Sequence, residues 1–151
     1  MFKQKISLKA RALRFLSMRE HSRIELERKL TPHVQEGEDV NAVLDFLENA
    51  KYLSNERFSE SLVNRRQARF GNQKILAELQ SHGLASSDME QLKQSLADTE
   101  VGRAVEVLHR KYPDEPNNHL EKSKQMKFLQ QRGFSMKAIT AAIRVPREDL
   151  A

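Results

Sequence analysis

Apolar residues recur along this chain at spacings of three and four, the pattern of helices with one buried face. Leu8, Ala12, Phe15 and Leu16 share such a face, so roughly residues 7–19 are predicted as a first amphipathic helix. Ser22-Arg23-Ile24-Glu25 has the form of a capping box, in which the Ser22 hydroxyl takes the Glu25 amide and the Glu25 carboxylate reaches back. It opens a second helix carrying Leu26 and Leu30, stopped near Pro32. After the polar stretch Glu36-Gly37-Glu38, Asp39 is a good N-cap for a third helix bearing Val40, Val43, Leu44 and Leu47.

The pattern then restarts. Asn55 is expected to cap a helix with Phe58 and Leu62 that runs through Arg65, Arg66 and Arg69 towards Gly71. Ile75, Leu76 and Leu79 mark the next helix, closed by Gly83 in a left-handed conformation. Ser87-Asp88-Met89-Glu90 reads as a second capping box opening a helix with Met89, Leu92 and Leu96. Val101, Ala104, Val105 and Leu108 define a separate helix ended by Tyr112-Pro113. Two last helices are expected, about 120–132 with Met126 and Leu129, and about 135–144 with Ile139, Ala142 and Ile143. No window alternates as a strand does, so the fold class is all-α.

The chain also repeats itself. Shifted by 113, residues 13–30 fall on 126–143: Phe15 meets Phe128, Leu16 meets Leu129, Arg19 meets Arg132 and Ser22 meets Ser135. A shift of 49 gives a weaker middle copy, with Leu13 on Leu62, Leu26 on Ile75 and Leu30 on Leu79. Units of this size are too small to bury their own apolar faces, so an elongated array of tandem three-helix repeats is predicted. The expected divisions are residues 1–54, 55–99 and 100–151, the last with an extra helix and loop before its helix–turn–helix.

Composition narrows the function. Of 151 residues, 38% are apolar and 31% charged, with few glycines and prolines and no tryptophan, which argues against a turn-rich β-sandwich. The absence of cysteine excludes disulfides, thiolate metal sites and a thiol nucleophile. No apolar run approaches the 18 or so residues of a membrane span. Met1 to Met18 is basic and free of acids, like a transit peptide, but the pattern continues into Glu20, Glu25 and Glu27 without a cleavage site. It is read as the first helix of a mature cytoplasmic protein. Net charge is +5 and alternates: +6 over residues 1–31, −5 over 32–60, +3 over 61–82, −3 over 83–100 and +4 over 101–151.

Catalytic chemistry is not indicated. Gly71-Asn72-Gln73-Lys74 lacks the second glycine and the hydroxyl residue of a phosphate loop and reads as a helix start. His21, His33, His82, His109 and His119 have no metal-ligand spacing, no metal or cofactor is called for, and Asp114-Glu115 reads as solvated. The cations are more informative: Arg11, Arg14 and Arg19 on the first helix, Arg65, Arg66 and Arg69 with Lys74 in the middle copy, and Lys124, Lys127 and Arg132 in the last. Equivalent positions in stacked units would form one broken positive stripe, suited to a phosphate backbone or an acidic protein groove. Phe70 and Tyr52 are the only candidates for stacking on bases, and both fit equally well in a core.

Four strings resemble one family. The run from Ala12 to Leu30 resembles the opening repeat of the RecX regulatory proteins, and Tyr52-Leu53-Ser54-Asn55-Glu56-Arg57-Phe58 is similar to their "YL-x-D-x-RF" element. Residues 66–84, with Gly71, Ile75, Glu78, Leu79 and Gly83, resemble the second repeat; Phe128 to Ser135, continuing to Ile139, resembles "FL-x-x-RGFS-x-x-x-I". Departures are Asn55 for Asp, Lys51 for a common Gly, Asn72 for a frequent Pro and His82 for a usual Lys or Arg. The resemblance implies tandem three-helix repeats and a modulator of the RecA recombinase in DNA repair, homologous recombination and the SOS response. Such proteins dock in the groove of the RecA–single-stranded-DNA filament, inhibit its ATPase and strand exchange, and hinder growth or promote disassembly. The implied partners are the RecA filament and its single-stranded DNA, with duplex DNA as a further partner and no membrane, for a monomeric chain. An autonomous, sequence-independent DNA-binding protein is the alternative.

Overall fold

Eight α-helices account for most of the chain in a computed structural model that describes residues 6–147, and no strand occurs among those residues. They are α1 (Leu8–Met18), α2 (Arg23–Leu30), α3 (Val40–Asn49), α4 (Asn55–Arg66), α5 (Asn72–Ser81), α6 (Glu90–Lys111), α7 (His119–Gln131) and α8 (Met136–Arg144). Short 3-10 turns follow α2 and precede α6. The 113-residue repeat is visible in these bounds, because α1–α2 and α7–α8 occupy matching stations around Ser22 and Ser135. The reading of Met1 to Lys5 as the start of the first helix lies outside the described residues, as do residues 148–151.

The chain divides into two units. The first holds the chain through Ser61 together with His82–Leu84, and the second holds Leu62–Ser81 and the chain from Ala85. In the first, α1, α2 and α3 bury Leu8, Ala12, Leu26, Leu30, Leu44 and Leu47 against one another, with Leu53 beneath them. Helices of 8 to 11 residues are marginal alone. Burial of each leucine, at about 1.5–3 kcal/mol, is what holds them. Their ends are capped as the sequence indicates: the Ser22 hydroxyl accepts the Glu25 amide at 3.1 Å, and Asp39 Oδ1 accepts the Asn41 amide at 2.9 Å.

Three local expectations are corrected. The Glu25 carboxylate does not complete a capping box, because the Arg19 guanidinium takes both of its oxygens. The cap of α4 is Ser54, whose hydroxyl accepts the Arg57 amide at 3.1 Å. Asn55 already lies inside the helix, and its Oδ1 accepts the Arg23 amide at the start of α2 (2.9 Å). The two helices expected between Met89 and Leu108 are one helix of 22 residues, α6, entered from a 3-10 turn over Ser86–Met89 without a side-chain cap. Residues 97–101 contain no Gly or Pro to stop it. Gly102 alone is a weak helix former, at a cost of about 1 kcal/mol. The boundary expected at residue 99 lies within this helix.

The second unit is organised by α6. Ala104, Val107 and Leu108 pack against Leu129, Phe134, Ala138 and Ile139 of the α7–α8 hairpin. One turn further back, two buried charged side chains tie other helix ends to α6. Glu100 accepts the Asn72 amide at the start of α5 (2.9 Å) and the Ser135 hydroxyl at the start of α8 (2.6 Å). Arg103 donates to the carbonyls of Gln67 and Phe70, just past the end of α4, at 3.3 and 2.9 Å, and to the Asn72 side chain. Anion at helix N-termini and cation at a C-terminus is the arrangement the helix dipoles favour. Gly71 lets the chains cross here: its amide donates to the Arg132 carbonyl at 2.8 Å, and a Cβ on it would lie 2.3 Å from the Phe134 nitrogen.

Two outcomes follow from these geometries. Glu100→Ala leaves the half-buried Asn72 and Ser135 donors without their acceptor and should cost about 1–3 kcal/mol, read by urea denaturation together with faster amide exchange at Asn72. Lys51 sits at φ 66°, the left-handed region that disfavours a Cβ. Lys51→Gly should therefore raise stability by about 1 kcal/mol, measured as a higher Tm of the whole chain.

Candidate cationic interface

The candidate cations are divided between the two units, and their local partners differ sharply. In the first unit, Arg19 is held by Glu25 through two nitrogens, the Nη1 contact at 3.0 Å, and this carboxylate raises the guanidinium pKa further. Arg14 is exposed on α1, and Arg11 is half-buried with its Nε enclosed and without a hydrogen-bond partner. His21 beside them is buried. Its Nδ1 lies 3.0 Å from the Arg19 carbonyl and its Nε2 2.9 Å from the Lys29 ammonium. A ring that accepts from an ammonium is neutral, and burial accordingly lowers the His21 pKa. His82 bonds the Ser22 hydroxyl at 2.7 Å and packs on Phe58 with ring centroids 4.5 Å apart. Its role here is to hold the α2 cap.

The second unit sets two of the candidates, Lys74 and Arg132, on two aromatic rings. Phe70 follows α4, and Lys74 on the first turn of α5 holds its Nζ 5.0 Å from the centre of the Phe70 ring. Arg132, at the end of α7, lies 5.8 Å from the Phe70 ring and 5.1 Å from that of Phe128. Its Nη1 donates to the Arg69 carbonyl at 3.4 Å, and Lys74 Nζ donates to the Gln131 carbonyl at 3.3 Å. These bonds fix positions without neutralising charge. Among the described residues, no carboxylate forms an ion pair with Arg69, Lys74 or Arg132. Arg66 differs: its Nε and Nη2 each meet a Glu78 oxygen at 3.0 Å, which raises its pKa.

The repeat explains the contrast. The position of Glu25, which neutralises Arg19, is Lys74 in the middle copy and Ala138 in the last. The cation at Arg132 therefore has no counterpart of Glu25 to fold onto, and it rests on aromatic faces instead. Arg65 is exposed on α4, and Lys127 is exposed on α7. Lys124 lines a separate groove with Asp114, Glu115 and Glu121, an acidic neighbourhood. Asp114 and Glu115 are both exposed, and Glu115 Oε1 accepts the Arg147 amide at 3.2 Å. Sequence reasoning passed over Phe128 as a platform and Glu100 and Arg103 as supports. Phe128 entered as the repeat counterpart of Phe15, and the pair's partners lie 28 to 36 residues away along the chain. Tyr52 is exposed, and its carbonyl accepts from Arg57 at 3.2 Å.

Comparison with known proteins agrees with this architecture. Residues 9–47 match the family model of the first three-helix domain of RecX, and residues 98–143 match that of the third. The chain is 56% identical over 137 residues to a regulatory protein RecX of Herbaspirillum seropedicae, covering 91% of this chain and 89% of the relative. It is 54% identical over 149 residues to one from Herminiimonas arsenicoxydans, covering 99% of each. In fold it is similar to the crystal structure of RecX from Lactobacillus salivarius, with a TM-score of 0.75 at 22% identity, covering 91% of this chain and 92% of that one.

The buried His21 gives the first unit a pH dependence of definite sign. Its folded pKa lies below the ordinary 6.5, so the proton is taken up more readily by the unfolded chain. Stability is full above about pH 6.5 and falls as pH drops below it. Thermal unfolding followed between about pH 7.5 and 5.5 should show that fall, and His21→Gln should flatten it.

Proposed function

The chain belongs to the RecX family of regulatory proteins, and from that premise we propose that it binds the filament RecA forms on single-stranded DNA and inhibits the filament's recombinase and ATPase activities. The observation that carries this reading is the pair of Lys74 and Arg132 on Phe70 and Phe128, cations set in place by carbonyls and aromatic rings but left without carboxylate partners among the described residues. Such groups attract phosphates and acidic side chains with little reorganisation, because their positions are already set. Arg14, Arg65 and Lys127, all exposed, are further contacts in this proposal, while Arg19 and Arg66 must first give up a carboxylate. A regulator of this kind is not an enzyme, and it works in the cytoplasm, where the filament is.

The alternative is an autonomous DNA-binding protein that competes for single strands, favoured by the same cations. The two differ in stoichiometry. A filament regulator suppresses RecA ATPase at concentrations far below that of the DNA, whereas a competitor needs to cover it. The double change Lys74→Glu and Arg132→Glu should weaken inhibition by about tenfold or more while leaving the helical circular dichroism unchanged. Inhibition that survives this change, or that appears only at saturating coverage of the DNA, overturns the proposal.

A further inference from the structure

A groove of about 310 Å³ is lined by Arg66, Phe70, Lys74, Ile75 and Glu78. That volume lies at the small end of ligand clefts, roughly 300–1,000 Å³, the scale of a single small-molecule unit. Its chemistry is mixed in a specific way. Phe70 and Ile75 give an apolar wall, Lys74 brings an ammonium to the ring at 5.0 Å, and Arg66 presents a guanidinium fork. The fork is occupied by Glu78 through two parallel contacts of 3.0 Å, the bidentate geometry that a guanidinium uses equally well for a phosphate. Both side chains are 34% exposed, so water reaches the pair and it is weak enough to exchange.

We infer that this groove is a binding site for one unpaired nucleotide, with the base against Phe70, the phosphate between Lys74 and the Arg66 fork, and Glu78 as an internal competitor that the phosphate displaces. The inference rests on the reading of this chain as a partner of single-stranded DNA and adds a subsite and its restraint. An aromatic wall flanked by cations is the combination that holds single strands, since every base has a π face. A paired base keeps its faces inside the stack, so the wall selects an unpaired one. Glu78 sets affinity without touching the ligand, because the phosphate gains only what exceeds the contact it replaces. No covalent step is involved.

The test uses the full chain and a fluorescent thymidine oligonucleotide, with an abasic oligomer of equal length as the second probe. Glu78→Gln should tighten binding to both by roughly two- to fivefold, the worth of an exposed ion pair. It should also steepen the salt dependence by about 0.7 in log–log slope, one added phosphate contact on a single strand. Phe70→Leu keeps an apolar wall without a π face. It should remove the preference for thymidine over abasic oligomer while leaving the salt slope unchanged. Unchanged or weaker binding by Glu78→Gln overturns the inference, as does a preference for bases that survives Phe70→Leu. RecA ATPase inhibition measured in parallel separates the two readings. Inhibition intact with no oligonucleotide effects removes the subsite alone, and the predicted oligonucleotide effects without inhibition remove the filament reading alone.

Discussion

The second unit depends on two charged residues one turn apart on α6. Glu100 and Arg103 are buried, 7% and 9% exposed, where charge is costly unless every atom has work. Glu100 gives its oxygens to the first amide of α5 and to the cap serine of α8, and Arg103 gives its nitrogens to carbonyls past α4 and along its own helix. Helices of 9 to 12 residues leave a large share of their backbone groups unpaired at the ends. With only 38% apolar residues available, burying those ends requires donors and acceptors brought from elsewhere in the chain. One turn of α6 supplies them to three helices, and the crossing of Gly71 with the Arg132–Phe134 turn follows from where those ends are pinned.

That crossing is what gathers the cations. Lys74 sits two residues past the Asn72 amide that Glu100 holds, and Arg132 sits at the turn that Gly71 pairs with. Phe70 lies between them because Arg103 holds its carbonyl. The surface chemistry is thus a by-product of how helix ends are satisfied beneath it. The first unit solves the same problem differently: His82 covers the Ser22 cap hydroxyl where Glu100 covers that of Ser135, and Arg19 folds onto Glu25. Two copies of one hairpin therefore share a backbone plan and present different charge to a partner.

A positive total charge says little about where binding occurs. Of the cations a count would include, Arg19, Arg23, Arg57 and Arg66 are already paired with carboxylates, and Arg103 is enclosed. Lys74 and Arg132 differ from these in resting on aromatic rings, at or beside the station where the repeat lost the acidic residue that Glu25 supplies in the first copy. In a repeat protein, comparison of equivalent positions is more discriminating than charge density, because it shows which cation has its counter-ion built in.

Much of this was legible in the residues. The spacing of Leu26 and Leu30, the caps at Ser22 and Asp39, the left-handed Gly83, and the matches of Arg19 to Arg132 and Ser22 to Ser135 all depend on residues within a turn or two of each other or on plain recurrence. The tertiary structure decided the rest: that α6 is one helix, that Glu25 turns to Arg19, that Glu78 holds Arg66 while Lys74 pairs with no carboxylate among the described residues, and that Glu100 and Arg103 serve other helices. The division has one physical cause. Helix periodicity and capping are fixed by backbone geometry over about four residues. The partner of a long charged side chain is whichever group packing brings within reach, and for Glu100, Arg103 and Arg132 that group lies 28 to 63 residues away.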